Sequence, residues 1–500
     1  MRFARSAVVG VLCSVLVVGC TGSGGEGSAT DSGSPPGGVG DLTAEGWVRG
    51  GALMRAVVHP VERAGDHSVL TVDYTMPEGP AEYTCPASMV SSGRQPLHPL
   101  VRLLDLPGGR AWLPGTIRPQ SGPVQPTATG NNWKWCFNAR NKTPEEVTLV
   151  TFYGPVDVDT VDVFIPKLGL VTGVPVVDGG PGTPDLASLG RREGQVEYPE
   201  PVVLESLVRA YDEGASARKS GDAQTVVMAS DVLFDTDVAE LSEQAAARVD
   251  EVSAQVAKVA SGGQVSVVGH TDDVLSVEYN LDLSKRRAAS VAERMRTTLG
   301  PSFTVVEDGK GKSEPAVEGT SPEARATNRR VEISFAAHNA VDLPGASKAP
   351  EATGPVGTSH ETLTYSWGSS GGSTFTVQAR SVVRRDGYLV GTLVLTAVTK
   401  KAVVVGYFGG DNNLSGQREG DWWHQSPKNV TLLGPQGRVF PTRFWMDDKV
   451  RLVADTGFDY SMASGDATVC TILWPDTGEN LVTIDVPERF RITDIPVEEG

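Results

Sequence analysis

The chain has 500 residues and a formal net charge of −17, and its length is enough for three or four domains. An acidic balance of this size excludes nucleic acid, and charge-driven binding to anionic lipid, from the expected partners. The five cysteines include no Cys-x-x-Cys pair and no Cys/His spacing typical of a metal site. We therefore expect neither a metal nor another cofactor.

Residues 1–19 are predicted to be a signal peptide. Arg2 and Arg5 precede an apolar run, Ala7–Val18, which is too short to be a stable membrane span. The run leads into Val-Val-Gly-Cys20, a sequence that resembles a bacterial lipobox. That resemblance implies cleavage before Cys20 and attachment of diacylglycerol to its thiol. The alternative is an ordinary signal peptide with a coincidental cysteine.

The next two segments are predicted to be a tether and a β region. Residues 20–40 are mostly Gly, Ser, Thr, Pro and Asp, which provide no core, so a flexible tether is expected. Residues 41–178 contain apolar or alternating runs between Pro and Gly turns, which predict an N-terminal β region. Cys85 and Cys136 lie in this region, and in an oxidising envelope we expect them to form a disulfide.

A linker and a mixed α/β segment are predicted next. Residues 179–222 are rich in Gly, Pro and charged residues, with a possible short helix over Val202–Tyr211. Residues 223–337 follow the order β, α, β, α, β, β. The first helix has Ser242 as its predicted N-cap. Its apolar face is formed by Leu241, Ala245, Val249, Val252 and Val256.

The second helix of this segment carries a basic residue on its apolar stripe. The stripe recurs at every fourth position: Leu283, Arg287, Val291, Met295 and Leu299. Arg287 is therefore expected to point inward, whereas Arg286 is not. A buried guanidinium needs an acidic partner or a ligand. Two interpretations stay open: a structural ion pair between Asp272 and Arg287, or a ligand site.

Four motifs of this segment resemble those of OmpA-like peptidoglycan-binding domains. The loop Gly269–Asp272 and the following Asn280–Ala288, with its Leu-Ser-x-x-Arg pattern, match the hallmark of that family. Leu233–Asp237 and Asn328–Glu332 match the family's opening and closing strands. The resemblance implies an α/β sandwich that binds peptidoglycan. In the family, an aspartate and an arginine hold the ammonium and the carboxylate of diaminopimelate in the stem peptide.

Carried over by motif, Asp272 would bind the ammonium and Arg287 the carboxylate. An arginine suits this role because its planar fork matches a carboxylate. Further positions that match the lining of the family's site are Thr271, Asn280, Asp237 and Arg329. One departure is Leu275, which stands where the family usually has glycine. A positive φ at this position would strain a leucine.

The C-terminal part is predicted to repeat the N-terminal β region. Residues 338–359 are a second linker rich in Pro, Gly and Ala, and residues 360–500 are β-like throughout. Prolines recur at nearly one offset in the two regions: Pro155 and Pro475, Pro166 and Pro487, Pro175 and Pro496. Both regions are predicted to be antiparallel Ig-like β-sandwiches, similar to accessory domains of secreted bacterial lipoproteins. The fold class is therefore multidomain α+β, with the βαβαββ domain in the centre.

These features predict an envelope lipoprotein that is not an enzyme. A lipid on Cys20 would hold it to the cell membrane or, alternatively, to the periplasmic side of an outer membrane, while the central domain binds peptidoglycan. The seven histidines lack a nucleophile, metal-ligand or triad context, and for His270 of the loop motif a structural role is expected.

A second hypothesis assigns the main function to the two β regions. The protein would then be a carbohydrate- or protein-binding or sensing lipoprotein, which the central domain only locates at the wall. Its partner would be an unidentified envelope protein or glycan. The candidate contact residues are Trp133, Trp135, Trp422 and Trp423. Such tryptophans otherwise fill a sandwich core or fix a loop. Cys470 is expected to be a buried thiol.

Overall fold

Strands between Pro and Gly turns form most of the regular secondary structure in the described part of the chain, as its alternating sequence predicts. The computed structural model describes residues 42–48, 52–76, 101–118, 125–126, 146–185, 195–340, 342–343, 348–367, 372–399, 402–403, 427–446, 449–454 and 461–500. These residues are mostly β-structure with a few helices, and Asp41–Gly500 is one compact unit. None of the described helices is both long enough and apolar enough to cross a membrane.

The N-terminal β region consists mostly of antiparallel strands around a shared apolar core. Its strands are β1 (Leu42–Val48), β2 (Ala52–Val58), β3 (Val61–Ala64), β4 (His67–Thr75), β5 (Arg102–Asp105), β6 (Arg110–Trp112), β7 (Thr116–Arg118), β8 (Gln125–Pro126), β9 (Glu146–Tyr153), β10 (Thr160–Ile165) and β11 (Gly169–Asp178). The apolar or alternating runs at 69–74, 147–153 and 160–165 lie in β4, β9 and β10, as a β region predicts. Tyr74, Trp112 and Tyr153 are fully buried in the core.

The segment after β11, predicted to be a linker, contributes strands to all three regions. They are β12 (Gln195–Glu197), β13 (Val202–Val203), β14 (Glu205–Arg209) and β15 (Ala215–Ser220). The short helix predicted over Val202–Tyr211 is therefore wrong. β12 and β13 pair with β7 and β6 of the N-terminal region. Because β12 and β13 take their hydrogen-bond partners from these distant segments, local sequence does not reveal them.

The central domain is a sheet against which two long helices pack. Its elements are β16 (Ala223–Ala229), α1 (Ser230–Leu233), α2 (Glu243–Val259), β17 (Gly263–His270), α3 (Val277–Thr298), β18 (Phe303–Gly311), α4 (Pro322–Asn328) and β19 (Arg330–Ala336). The predicted order is confirmed, with the short helices α1 and α4 added. The strand order is β14-β15-β16-β19-β17-β18, in which β17 and β18 are parallel and the other pairs antiparallel. Leu233–Asp237, matched to the opening strand, instead lie at the end of α1 and in the loop after it.

The C-terminal β region follows the central domain. Its strands are β20 (Val356–Thr358), β21 (Leu363–Trp367), β22 (Ser373–Arg385), β23 (Tyr388–Ala397), β24 (Ala402–Val403), β25 (Thr431–Leu433), β26 (Arg438–Val439), β27 (Arg443–Met446), β28 (Lys449–Leu452), β29 (Ser461–Met462), β30 (Ala467–Pro475), β31 (Leu481–Val486) and β32 (Phe490–Glu499). Cys470 on β30 is buried, as expected.

The two β regions share one pattern of strand pairing, as the recurring prolines predict. In the N-terminal region β3 pairs with β4, β4 with β9, β5 with β6 and β10, and β11 with β10 and, in parallel, with β3. The C-terminal region repeats these pairings. The strands that take the places of β3, β4, β9, β5, β6, β10 and β11 are, in that order, β22, β23, β30, β25, β26, β31 and β32. A register shift interrupts β10–β11 between Val161 and Val163 and β31–β32 between Val482 and Ile484. The regions are thus two versions of one strand topology.

Strand β14 belongs to both the central sheet and the C-terminal region. It pairs with β15 on one side and with β26 and β27 on the other. A buried ion pair reinforces the second pairing, since Arg443 Nε donates to Glu205 Oε1 at 2.6 Å. The side chains of Arg443 and Glu205 are 3% and 9% exposed. The central domain is therefore packed onto its neighbour rather than joined to it by a loose linker.

Helix α3 lies unusually close to the sheet because two glycines face it. A Cβ on Gly309 would lie 2.4 Å from the backbone nitrogen of Lys285, and one on Gly269 would lie 2.3 Å from the carbonyl oxygen of Ser284. Contacts this short exclude any side chain at either position. The close packing fixes the helix against β17 and β18, and with it the position of Arg287.

Candidate functional site

Helix α3 presents Arg287 inward, as its sequence predicts. The helix begins after Ser276, whose hydroxyl accepts a hydrogen bond from Tyr279 N at 3.1 Å. The predicted stripe is buried along its whole length: Leu283, Arg287, Val291, Met295 and Leu299. Arg286 is exposed and pairs with Asp282, one turn earlier, at 2.8 Å. The two neighbouring arginines therefore have different environments.

The guanidinium of Arg287 is held by backbone carbonyls and an aromatic ring. Its Nε donates to Val238 O at 2.9 Å and its Nη2 to Asp235 O at 3.1 Å. The ring of Phe234 lies 5.1 Å from its central carbon. Within the described part of the chain, no carboxylate lies within 4 Å of this guanidinium. Burial lowers the pKa of Arg287, and the more distant charges of Asp231 and Asp237 oppose that shift.

Asp272 pairs with Arg329 and not with Arg287. Arg329 Nη1 donates to Asp272 Oδ2 at 2.9 Å, and Val274 N donates to Asp272 Oδ1 at 3.1 Å. The structural ion pair between Asp272 and Arg287, one of the two open interpretations, is therefore not formed. The Asp272 side chain is 16% exposed, so part of it remains accessible.

Arg329 is itself shared between two carboxylates. Its Nε and Nη2 donate to the two oxygens of Asp231 at 2.8 and 2.6 Å, while Nη1 binds Asp272. The hydrogen bond from Arg329 lowers the pKa of Asp231. Asp231 was not expected from the sequence. Its position in α1, three residues before Phe234, gives no indication that it pairs with a residue 98 positions later.

Thr271 and Asn280 hold the loop rather than line an open surface. Both are buried. Thr271 N donates to Gly311 O at 2.9 Å, and its hydroxyl donates to Asp272 O at 3.1 Å. The amide of Asn280 donates to the carbonyl of Val274. These bonds fix the direction in which the Asp272 carboxylate points.

Asp237 is an exposed residue at the edge of the same cluster. It has a left-handed backbone, with φ of 58°. Burial and then the hydrogen bond to Asp237 raise the pKa of the Tyr279 hydroxyl. Asp237 also contributes electrostatically to Arg287. The structure therefore gathers Arg287, Asp237, Asp272 and Arg329 around one region, with Thr271 and Asn280 behind the loop.

Leu275 occupies the left-handed conformation that the family's usual glycine suggests. Its φ is 71° and its side chain is 55% exposed. Lys312 Nζ donates to the carbonyls of Leu275 at 2.7 Å and of Asp273 at 3.2 Å. Arg325 forms a bidentate pair with the Asp273 side chain, at 2.6 and 3.1 Å. These contacts hold the backbone on both sides of Val274, next to the strained leucine.

Replacing Leu275 tests this strain. Asparagine tolerates a positive φ, so Leu275→Asn should stabilise the protein by about 0.5–1 kcal/mol. Leu275→Val should destabilise it by roughly 1 kcal/mol or more, because a β-branched residue is least compatible with this conformation. Urea unfolding midpoints measure both changes. A valine variant as stable as the asparagine variant would show that the backbone there is not strained.

His270, at the end of β17, is buried, as a structural role predicts. It is 3% exposed. Burial, and then the positive charge of Arg330, lower the pKa of His270 to about 4, although Glu332 and Glu314 oppose the shift. The imidazole is therefore neutral at pH 7.

This shift predicts a loss of stability in mild acid. An unfolded His270 titrates near the usual value of 6.5, so between pH 6.5 and 4 the unfolded chain binds a proton that the folded chain does not. The stabilisation is complete above about pH 6.5 and is lost as the pH falls to about 4, by up to about 3 kcal/mol. In the His270→Gln variant the melting temperature should depend less on pH over this range. His338→Gln, at an exposed position, should leave the pH dependence unchanged. Identical pH profiles for all three proteins would refute the assignment.

Several predicted residues lie outside the described part of the chain. They are Cys20, Cys85, Cys136, Trp133, Trp135, Trp422 and Trp423. Lipid attachment, the disulfide and contacts through these tryptophans therefore stay predictions.

Residues 233–329 match the model of the OmpA family. Over 113 residues the chain is 38% identical to outer membrane protein A of Bordetella avium, a match that covers 23% of this chain and 58% of the relative. It is 34% identical over 122 residues to the probable lipoprotein YiaD of Escherichia coli K12, covering 24% and 55%. The chain thus spans between half and two thirds of these relatives.

A solved structure is similar to a quarter of the chain. The cell wall anchor of the T6SS from Pseudomonas aeruginosa is 30% identical, with a TM-score of 0.23, and the match covers 25% of this chain and 90% of that one. The family match over residues 233–329, together with the motifs and the order of the elements, is specific to one domain. The central domain of this protein is an OmpA-like domain.

Proposed function

We propose that this protein is a membrane-anchored envelope lipoprotein that binds peptidoglycan non-covalently through the diaminopimelate of the stem peptide. The observation that carries the proposal is Arg287, a buried guanidinium held by two carbonyls with no described carboxylate in contact. Such a charge is costly unless a ligand completes its coordination. The names of two similar proteins, a probable lipoprotein and a cell wall anchor, support a place in the cell envelope for this protein.

The chemistry of the free end of diaminopimelate fits the site. Its carboxylate would take the remaining hydrogen-bond capacity of Arg287, since that side chain donates only from Nε and Nη2 within the described structure. Its ammonium would bind the accessible part of Asp272, with Asp237 nearby as a second negative charge. Lysine, which replaces diaminopimelate in some walls, offers the ammonium but no carboxylate. The site would therefore distinguish the two wall types.

One such site is weak but sufficient. A few charge-assisted hydrogen bonds at about 1.5–3 kcal/mol each give micromolar to millimolar affinity after the cost of association. A tether over residues 20–40 would have a reach of roughly 25 Å and keep the domain near the wall. Because the wall repeats the same ligand many times, the effective concentration is high. The role is one of attachment and needs no catalysis.

Titration tests this proposal. The compact unit Asp41–Gly500 would be titrated calorimetrically with the tripeptide L-alanyl-γ-D-glutamyl-meso-diaminopimelate and with the same tripeptide ending in L-lysine. We expect binding of the first and, because Arg287 loses its partner, about 10- to 150-fold weaker binding of the second. Equal affinities would contradict the proposal.

The anchor is proposed from the lipobox-like sequence before Cys20. Cys20→Ser should leave the protein without lipid, so that it either retains its signal peptide or is released into the medium. Membrane fractionation and mass spectrometry of the N-terminal peptide measure this outcome. A Cys20→Ser protein that is processed and membrane-bound as before would refute the anchor.

The two β regions would be Ig-like sandwiches that present a surface to an envelope protein or glycan. Their shared strand topology supports two copies of one accessory domain. A disulfide between Cys85 and Cys136 would brace the first copy. In this arrangement β14 holds the wall-binding domain in a fixed position against the second copy.

A further inference from the structure

Asp231 is a second acidic residue that pairs with Arg329. It lies in α1 with its side chain 56% exposed, and both of its oxygens accept hydrogen bonds from Arg329. The remaining nitrogen of the Arg329 guanidinium, Nη1, donates a hydrogen bond to Asp272. Arg329 therefore lies between two carboxylates, of which only Asp272 belongs to the site predicted by motif.

The charge of Arg329 matters for what Asp272 can bind. When an arginine pairs with a single carboxylate, it largely cancels the negative charge of that carboxylate. The carboxylate would then attract a ligand ammonium only weakly. With Asp231 present, Arg329 is already neutralised from its other side. Asp272 can therefore keep its hydrogen bond to Arg329 and still attract a cation.

Geometry adds to this electrostatic role. The bidentate pair with Asp231 uses the Nε and Nη2 edge of Arg329, which turns Nη1 toward Asp272. A bidentate arginine–carboxylate pair fixes the plane of the guanidinium. Asp231 therefore helps to set the position of the Asp272 carboxylate.

We infer that Asp231 is a positioning residue that gives the cleft its preference for ligands with a free ammonium. This inference rests on the proposed function, because it concerns the same site. It assigns separate tasks to the two halves of the cleft. Arg287 selects for the carboxylate, and the Asp231–Arg329–Asp272 chain selects for the ammonium.

Three tripeptide probes separate these tasks. Each begins L-alanyl-γ-D-glutamyl, and the third residue is meso-diaminopimelate, L-lysine or L-2-aminopimelate. Diaminopimelate carries both charged groups on its free end, lysine only the ammonium and 2-aminopimelate only the carboxylate. Affinities would be measured by calorimetry on the unit Asp41–Gly500, with its melting temperature as a check of folding.

For Asp231→Asn we expect the affinity for the diaminopimelate probe to fall roughly tenfold, an electrostatic effect at short range and partial exposure. The affinity for the 2-aminopimelate probe should not fall, because that probe has no ammonium and the negative charge of Asp231, which also acts on Arg287, opposes a carboxylate there. Asp231→Glu, which restores the charge, should recover much of the preference. Asp282→Asn, at an exposed carboxylate paired with Arg286, is the matched control and should behave like the unmodified protein.

The outcomes distinguish this inference from the proposed function. If the unmodified protein binds none of the probes, or binds diaminopimelate and lysine probes equally, the proposed function fails. If it prefers diaminopimelate but Asp231→Asn weakens the diaminopimelate and 2-aminopimelate probes by the same factor, Asp231 is only structural and the inference is overturned. Unchanged affinities in Asp231→Asn overturn it as well.

Discussion

Arg287→Ala is expected to weaken binding of the diaminopimelate tripeptide by about 10- to 150-fold, which corresponds to the loss of ~1.5–3 kcal/mol from a charged hydrogen-bond pair. The affinity for the lysine tripeptide should change little, because that probe has no carboxylate for Arg287. The variant would therefore bind both tripeptides alike. Calorimetric titration of the unit Asp41–Gly500 measures both affinities.

Arg286→Ala is the matched control for this change. It removes the same charge one residue earlier in α3, from an exposed side chain that pairs with Asp282. Its affinities should equal those of the unmodified protein. Arg287→Lys adds a second comparison, since it keeps the charge but loses the planar fork, and should recover only part of the binding. If Arg286→Ala and Arg287→Ala weaken binding equally, the cluster attracts the ligand through net charge alone.

Glu205→Ala is expected to destabilise the protein by about 3–5 kcal/mol, because it leaves Arg443 buried without its partner. Burial already lowers the pKa of Arg443, and the charge of Glu205 opposes that shift. Since β14 belongs to the sheet of the central domain and pairs with β26 and β27, both regions should lose stability. Urea unfolding curves, recorded by tryptophan fluorescence and by circular dichroism, measure the change in the free energy of unfolding.

A double variant separates the ion pair from the packing around it. Glu205→Met with Arg443→Met replaces both charges by apolar side chains and should be within about 1–2 kcal/mol of the unmodified protein. Glu351→Ala, which removes an exposed partner of Lys348, should change the stability by less than about 0.5 kcal/mol. A Glu205→Ala protein as stable as Glu351→Ala would mean that β14 is not held by this pair.

Periodic features of the sequence predicted the central domain well. The stripe from Leu283 to Leu299 repeats with the helical period, so the inward position of Arg287 followed from spacing alone. The N-cap at Ser242 is confirmed, since its hydroxyl accepts from Ala245 N at 3.1 Å. The loop motif also indicated the left-handed backbone at Leu275. Each of these features depends on residues a few positions apart.

Features that depend on distant residues were not predicted. The strands β13 and β14 have two and five residues, too few to show a period. Besides the local pairing of β14 with β15, their hydrogen bonds go to segments near Arg110 and Arg438, and nothing in the local sequence reveals these distant partners. The pairing of Arg329 with Asp231 is hidden for the same reason. The segment therefore looked like a linker although it joins three regions.

The central claim is that the cleft recognises the free end of diaminopimelate, and co-sedimentation with purified cell walls tests it most directly. The unit Asp41–Gly500 would be mixed with sacculi of the diaminopimelate type and of the lysine type, and the bound fraction measured after centrifugation. We expect strong retention on diaminopimelate-type sacculi, weak retention on lysine-type sacculi, and loss of the difference in Arg287→Ala. Equal retention of the unmodified protein on both wall types would contradict it.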